Sequence, residues 1–178
     1  MPTERVFVAR LLSHYKQADK AVVNAGRSWY KNARATIRAL ATKYGVGEGC
    51  AAGVMAATSP RVHWKRNIAL TELFLAGTYR HGCFKDNADK ARRIVAGERP
   101  LAVLRGPKVR AFYRALMGQL QHVVVDVWMQ RAVRYLDKVT EAIYNLIARA
   151  TTLAAERIGI PPAEFQAVVW TAIRGRAD

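Results

Sequence analysis

Apolar residues recur at helical spacing along almost the whole chain. Val6, Val8, Leu11, Leu12 and Tyr15 form one stripe and predict a helix over about residues 6–16. A break is expected at Asn24–Gly26, with Ser28 capping the next helix. That helix turns Trp29, Ala33, Ile37, Leu40, Ala41 and Tyr44 inward and stops at Gly45. Its polar face carries Arg27, Lys31, Arg34, Arg38 and Lys43.

The stretch GEGCAAGVMAAT, from Gly47 to Thr58, is small-residue throughout and predicts a closely packed core helix. Ser59-Pro60 reads as a serine N-cap followed by proline at the first helical position. The helix it starts should hold Val62, Trp64, Ile68, Leu70, Leu73, Phe74 and Leu75 and end by Gly77. After a loop of mixed polarity, Asp86 or Asn87 is expected to cap a short helix that Gly97 ends. Pro100–Leu104 predicts a brief helix, and a Gly-Pro turn leads into another with Val109, Phe112, Tyr113 and Leu116 inward.

An isolated β-branched run, Val123–Val125, precedes Asp126, which opens a helix that should bury Val127, Trp128, Ala132, Val133, Tyr135 and Leu136. Thr140 to Ile158 predicts a longer helix with Ile143, Leu146, Ile147 and Leu153 in its core. Pro161-Pro162 starts the last one, and the tail from Arg174 to Asp178 is expected to fray. With no sheet-forming pattern, the fold class is all-α.

Composition narrows the class. Hydrophobic residues make up 51% of 178 residues, enough for a real core and too many for a disordered chain. No apolar run is long enough to span a bilayer. The N-terminus lacks a signal-peptide plan, so a cytoplasmic location is expected.

Charge changes the picture more. The formal net charge is +16, which favours a polyanionic partner, most simply nucleic acid. A membrane surface would instead call for one cationic amphipathic helix, whereas these cations are spread over many segments. Cys50 and Cys83 form no Cys-x-x-Cys motif, and the four histidines show no ligand spacing, so no metal, iron–sulfur cluster or other cofactor is expected.

The candidate chemistry lies between Leu104 and Arg131, LRGPKVRAFYRALMGQLQHVVVDVWMQR. Lys108 follows a Gly-Pro turn at the start of one helix, and Asp126 stands at the start of the next. Unpaired N–H groups at a helix start can hold a phosphate, and they disfavour an ammonium, which suits an amine acting as nucleophile. Singly, each residue has a plainer reading. Asp before an apolar helix is ordinarily an N-cap, and Lys108 is one of 29 Lys and Arg.

In order and spacing, Gly106-Pro107-Lys108 and Val125-Asp126 resemble the helix-hairpin-helix DNA glycosylase superfamily, which includes endonuclease III and 8-oxoguanine glycosylase. The resemblance is sharp over this stretch and looser, in helix order, over most of the chain. The family's hairpin usually carries an earlier glycine, where this chain has Leu104.

The resemblance implies a two-lobed helical fold around a cleft. One lobe is a helical barrel over 22–120 ending in the hairpin; the other combines 1–21 with 121–178. A flipped nucleotide would enter the cleft, with Lys108 and Asp126 at its mouth. It implies that Lys108 attacks the anomeric carbon to form a Schiff base, permitting β-elimination, and that Asp126 supports departure of a damaged or modified base. It also implies DNA contacts through Arg61, Arg105, Gly106, Arg110 and Arg114, with Ser59, Lys65, Arg66 and Asn67 in the same polar stretch as Arg61.

A monomer is expected. Two other readings stand beside base excision. One is a glycosylase-fold enzyme of viral DNA base hypermodification, which the small size would suit in a bacteriophage protein acting in host cytoplasm. The other is a non-catalytic DNA-binding module.

Overall fold

The computed structural model describes residues 3–175, and every regular element among them is a helix. The helices are α1 (Glu4–Gln17), α2 (Lys20–Tyr44), α3 (Glu48–Thr58), α4 (Trp64–Leu75), α5 (Lys85–Val95), α6 (Pro100–Val103), α7 (Pro107–Leu116), α8 (Val127–Ala132), α9 (Glu141–Ile158) and α10 (Pro162–Arg174). They form two units. The first takes the described residues through Asn32 and those from Gly118 onward; the second is Ala33–Met117.

In the first unit, α1, α8, α9 and α10 close on one apolar core. Phe7, Leu11, Met129, Ile147 and Phe165 are fully buried there. Tyr15 stacks on Phe165 with ring centroids 5.2 Å apart. The beginning of α2 enters this unit through Gly26, where a Cβ would fall on the Val168 backbone of α10. The break expected at Asn24–Gly26 is therefore absent. Gly26 is buried inside a continuous 25-residue helix, because α10 leaves room for no side chain there. Ser28, expected as a cap, instead donates back to the carbonyls of Asn24 and Ala25.

In the second unit, α3 is the central element, with every residue from Ala51 to Thr58 buried. Gly53 allows the approach of Pro100 from α6. Ala88, Ala91 and Ile94 of α5, Phe74 of α4 and Leu104 complete the core. Buried Asn67 ties α4 to α3. It accepts from the Thr58 hydroxyl at 2.6 Å and donates to the Met55 carbonyl at 3.0 Å.

Ser59-Pro60 does not start α4. Ser59 closes α3, its hydroxyl donating to the Ala56 carbonyl, and α4 begins only at Trp64, beyond a turn. α5 likewise starts before Asp86 and Asn87, with Phe84 at its N-cap position. The stops at Gly45, Gly97 and Gly159 stand, each with positive φ. No helix among the described residues is long and apolar enough to cross a membrane.

Candidate functional site

Asp126, itself extended, lies in the first unit between the Val123–Val125 run and a short helix. Val123, Val124 and Val125 are all buried, which fixes the run. The Tyr144 hydroxyl of α9 clamps it further, donating to the Val123 carbonyl at 2.9 Å and accepting from the Val125 amide at 3.3 Å. Asp126 then caps α8, its Oδ1 accepting from the amides of Trp128 and Met129, both at 3.0 Å.

A six-residue helix is far too short to persist alone. Its far end is held by α1. Arg10 donates to the Val133 carbonyl at 2.6 Å, and a ring nitrogen of His14 lies 3.2 Å from the Ala132 carbonyl. The Arg10 charge there also suits the helix dipole. The carboxylate of Asp126 is thus half-buried and fixed in direction, the condition for a group that must meet developing positive charge or orient a nucleophile.

Two buried tyrosines share this electrostatic environment. Burial pushes the Tyr144 phenol up to about 12, and the negative charge of Asp126 adds to the rise. Burial also raises Tyr30, and Asp126 again contributes. The Tyr30 hydroxyl donates to Gln166 Oε1 at 3.1 Å. Both phenols therefore remain protonated donors near neutral pH.

The segment after Asp126 departs from expectation. α8 ends at Ala132, Val127 is 50% exposed and Leu136 is 85% exposed. A left-handed Arg134, φ 52°, turns the chain away before Leu136 could reach the core.

Lys108 lies in the second unit. The turn between α6 and α7 consists of Leu104, Arg105 and Gly106. Leu104 is fully buried in the core of this unit, so its side chain anchors the turn. Gly106 has φ 80°, which an L side chain rarely adopts, and Pro107 fits the first helical position. Lys108 follows within the first turn of α7, half-buried.

Arg105 is exposed, and Arg110 and Arg114 are half-buried one helical turn apart. Among the described residues, Arg105, Lys108, Arg110 and Arg114 enter no ion pair, since the paired carboxylates serve cations elsewhere. Arg105, Lys108 and Arg110 lie at the start of α7, where uncompensated cations suit phosphate, while Arg114 lies in its last turn.

Arg61 is also in the second unit, in the turn between α3 and α4. It has φ 61°, a left-handed conformation that residues other than glycine rarely adopt, and is exposed. Its guanidinium lies 6.0 Å from the ring centroid of Phe84. Phe84 is 55% exposed and is the one exposed aromatic residue among those described. Sequence reading missed it, because TYRHGCFK looks like any loop of mixed polarity. Lys65 and Arg66 are exposed nearby in the chain, whereas Ser59 and Asn67 are spent on internal hydrogen bonds.

Cys50 and Cys83 are free thiols, half-buried, and burial raises Cys50. The described residues contain no group of three or more His, Cys, Asp or Glu placed to hold a metal ion.

A family model described as "Family of unknown function (DUF7178)" matches residues 2–177. No curated protein and no solved structure matches the chain.

Proposed function

The chain belongs to this family of unknown function, and from its own residues we propose that it is a DNA glycosylase of the helix-hairpin-helix type, with AP-lyase chemistry. The observation that carries the reading is the local setting of the two candidate residues. Lys108 follows a positive-φ Gly106 at the start of α7, and Asp126 caps α8 directly after the buried Val123–Val125 run. Their spacing in the chain is that of the superfamily.

Lys108 is the nucleophile. Its amine attacks the anomeric carbon of the sugar as the base departs, and the bond from that carbon to the ring oxygen then breaks, the oxygen taking up a proton, so that the opened sugar is held as a Schiff base. Asp126 supplies negative charge as the glycosidic bond breaks and takes up protons in the steps around it. Arg105, the Gly106 backbone, Arg110 and Arg114 bind phosphate. Arg61 with Phe84 gives a cation and a ring face to an unstacked base.

The test is incubation with duplexes carrying a panel of modified bases, with products resolved by mass spectrometry. Release of a free base supports excision. A base altered but still attached favours the hypermodification reading, which the same residues and fold would accommodate. Tight binding without any product leaves the DNA-binding module.

A further inference from the structure

The loop between α4 and α5 is held more firmly than its mixed composition suggests. Tyr79 stacks on Phe74 with ring centroids 3.9 Å apart, which pins the loop to α4. Arg92 of α5 lies over the Tyr79 ring at 5.6 Å. The Tyr79 hydroxyl accepts from the Cys83 amide at 3.1 Å and lies 3.3 Å from the Cys83 sulfur, so the loop closes on itself. Gly82, at φ 130°, rests against α4. A Cβ there would fall 2.8 Å from Arg66 Nη2 and 3.0 Å from Leu70 Cδ2. Glycine thus lets the Arg66 guanidinium lie against the loop.

Phe84 follows two residues later. Its ring remains 55% exposed even with the Arg61 guanidinium 6.0 Å from its centroid. An open ring on a loop fixed to both neighbouring helices loses little freedom when a flat partner settles on it.

Charge indicates the kind of partner. Arg61, Arg66 and Lys85 are exposed, as are Lys65 and Arg80 close by in the chain. None of these enters an ion pair among the described residues. Glu72 is the single carboxylate between Ser59 and Lys85, and it pairs with Lys43. Asp86 and Asp89, just beyond, pair with Lys90 and Arg92. The cations beside the ring are therefore left for an outside anion.

Cations by themselves suit DNA of any form, and the ring narrows the choice. In a duplex each base face is stacked on its neighbour. A single strand has faces to offer, and base–aromatic stacking tolerates any sequence.

We propose that Phe84, with Arg61, Arg66 and Lys85, is a stacking platform for a single-stranded DNA segment, so that the favoured substrate carries an unpaired strand. The inference rests on the DNA reading above and names the form of DNA. All four residues belong to the second unit.

The experiment measures binding of the full chain and its Phe84→Ala, Phe84→Trp and Lys85→Ala variants. The probes are a blunt duplex and the same duplex with a single-stranded oligothymidine tail. Phe84 and Lys85 are exposed, so the variants should melt like the parent protein. The parent protein should prefer the tailed duplex by about tenfold or more, the gain from about one stacked base. In Phe84→Ala that preference should fall about tenfold, whereas Phe84→Trp should keep it. Lys85→Ala should lower the salt slope for the tailed duplex by about 0.7, one phosphate contact on a single strand.

If the parent protein gains nothing from the tail, or Phe84→Ala gains as much as the parent protein, the platform is refuted while the DNA reading stands. If the parent protein binds neither probe at any salt concentration, both fall together. Binding to anionic vesicles that Phe84→Ala loses, with no gain from the tail, would reassign the ring to a lipid surface and overturn the proposal.

Discussion

The Tyr144 hydroxyl accepts a hydrogen bond from the Val125 amide at 3.3 Å, one residue before Asp126. The same oxygen donates to the Val123 carbonyl, so one side chain from α9 fixes the backbone that delivers the carboxylate. The Tyr144 phenol is pushed up to about 12 by burial first and by Asp126 second. A phenol raised in the folded state stays protonated there after the unfolded chain has ionised. Stability is therefore full below about pH 10 and falls as pH rises toward about 12. This one group should account for a loss on the order of 2 kcal/mol across that window. Denaturant melts between pH 8 and 12 should show the fall, and Tyr144→Phe should lower stability at pH 8 while flattening the alkaline decline.

Asp126 has two separable jobs, capping and charge. Asn caps nearly as well as Asp, so Asp126→Asn should melt close to the parent protein, whereas Asp126→Ala should lose about 1 kcal/mol. Base release by Asp126→Asn should drop ~100-fold or more, as the carboxylate charge is gone. Thermal melts paired with single-turnover assays separate the two. An Asn variant that is fully active, or that unfolds, removes the catalytic assignment.

Gly26 should tolerate no side chain. A Cβ there would overlap the Val168 backbone of α10, which cannot move aside as a flexible side-chain tip can. Gly26→Ala should destabilise by roughly 1–3 kcal/mol, although alanine is the better helix former. Equal stability of the two proteins in urea would show that α2 and α10 do not pack this way.

The Gly26 case shows where sequence reading stops. Propensity alone treats a glycine between Asn24 and Ser28 as a break, because the reason for it lies on a helix far along the chain. Ser59-Pro60 misled for a related reason: the hydroxyl found a carbonyl behind it in α3 before any amide ahead. Signals that act within one turn were legible, among them the Asp126 cap and the helix stop at the left-handed Gly159. Leu136 was assigned to a buried stripe because periodicity cannot see that α8 ends at Ala132. The pairing of Arg61 with Phe84 brings two loops together and left no local trace.

Salt should weaken DNA binding steeply. The net charge is +16, and Arg105, Lys108, Arg110 and Arg114 enter no ion pair within the described residues. About five phosphate contacts should give a log–log slope near −4 to −5, read from titrations at several salt concentrations. Arg110→Ala and Arg114→Ala should each reduce the slope by about one. A flat response would remove nucleic acid as the main partner.

The central claim is an amine nucleophile at Lys108, and borohydride trapping tests it most directly. The imine between Lys108 and the sugar is reduced by borohydride to a stable amine, which leaves the protein covalently attached to DNA. Across a panel of modified-base and abasic duplexes, the parent protein should give such a complex on at least one substrate. Lys108→Gln should give none while still binding DNA. Trapping that persists in Lys108→Gln, or neither trapping nor base release by the parent protein on any substrate, would contradict the account.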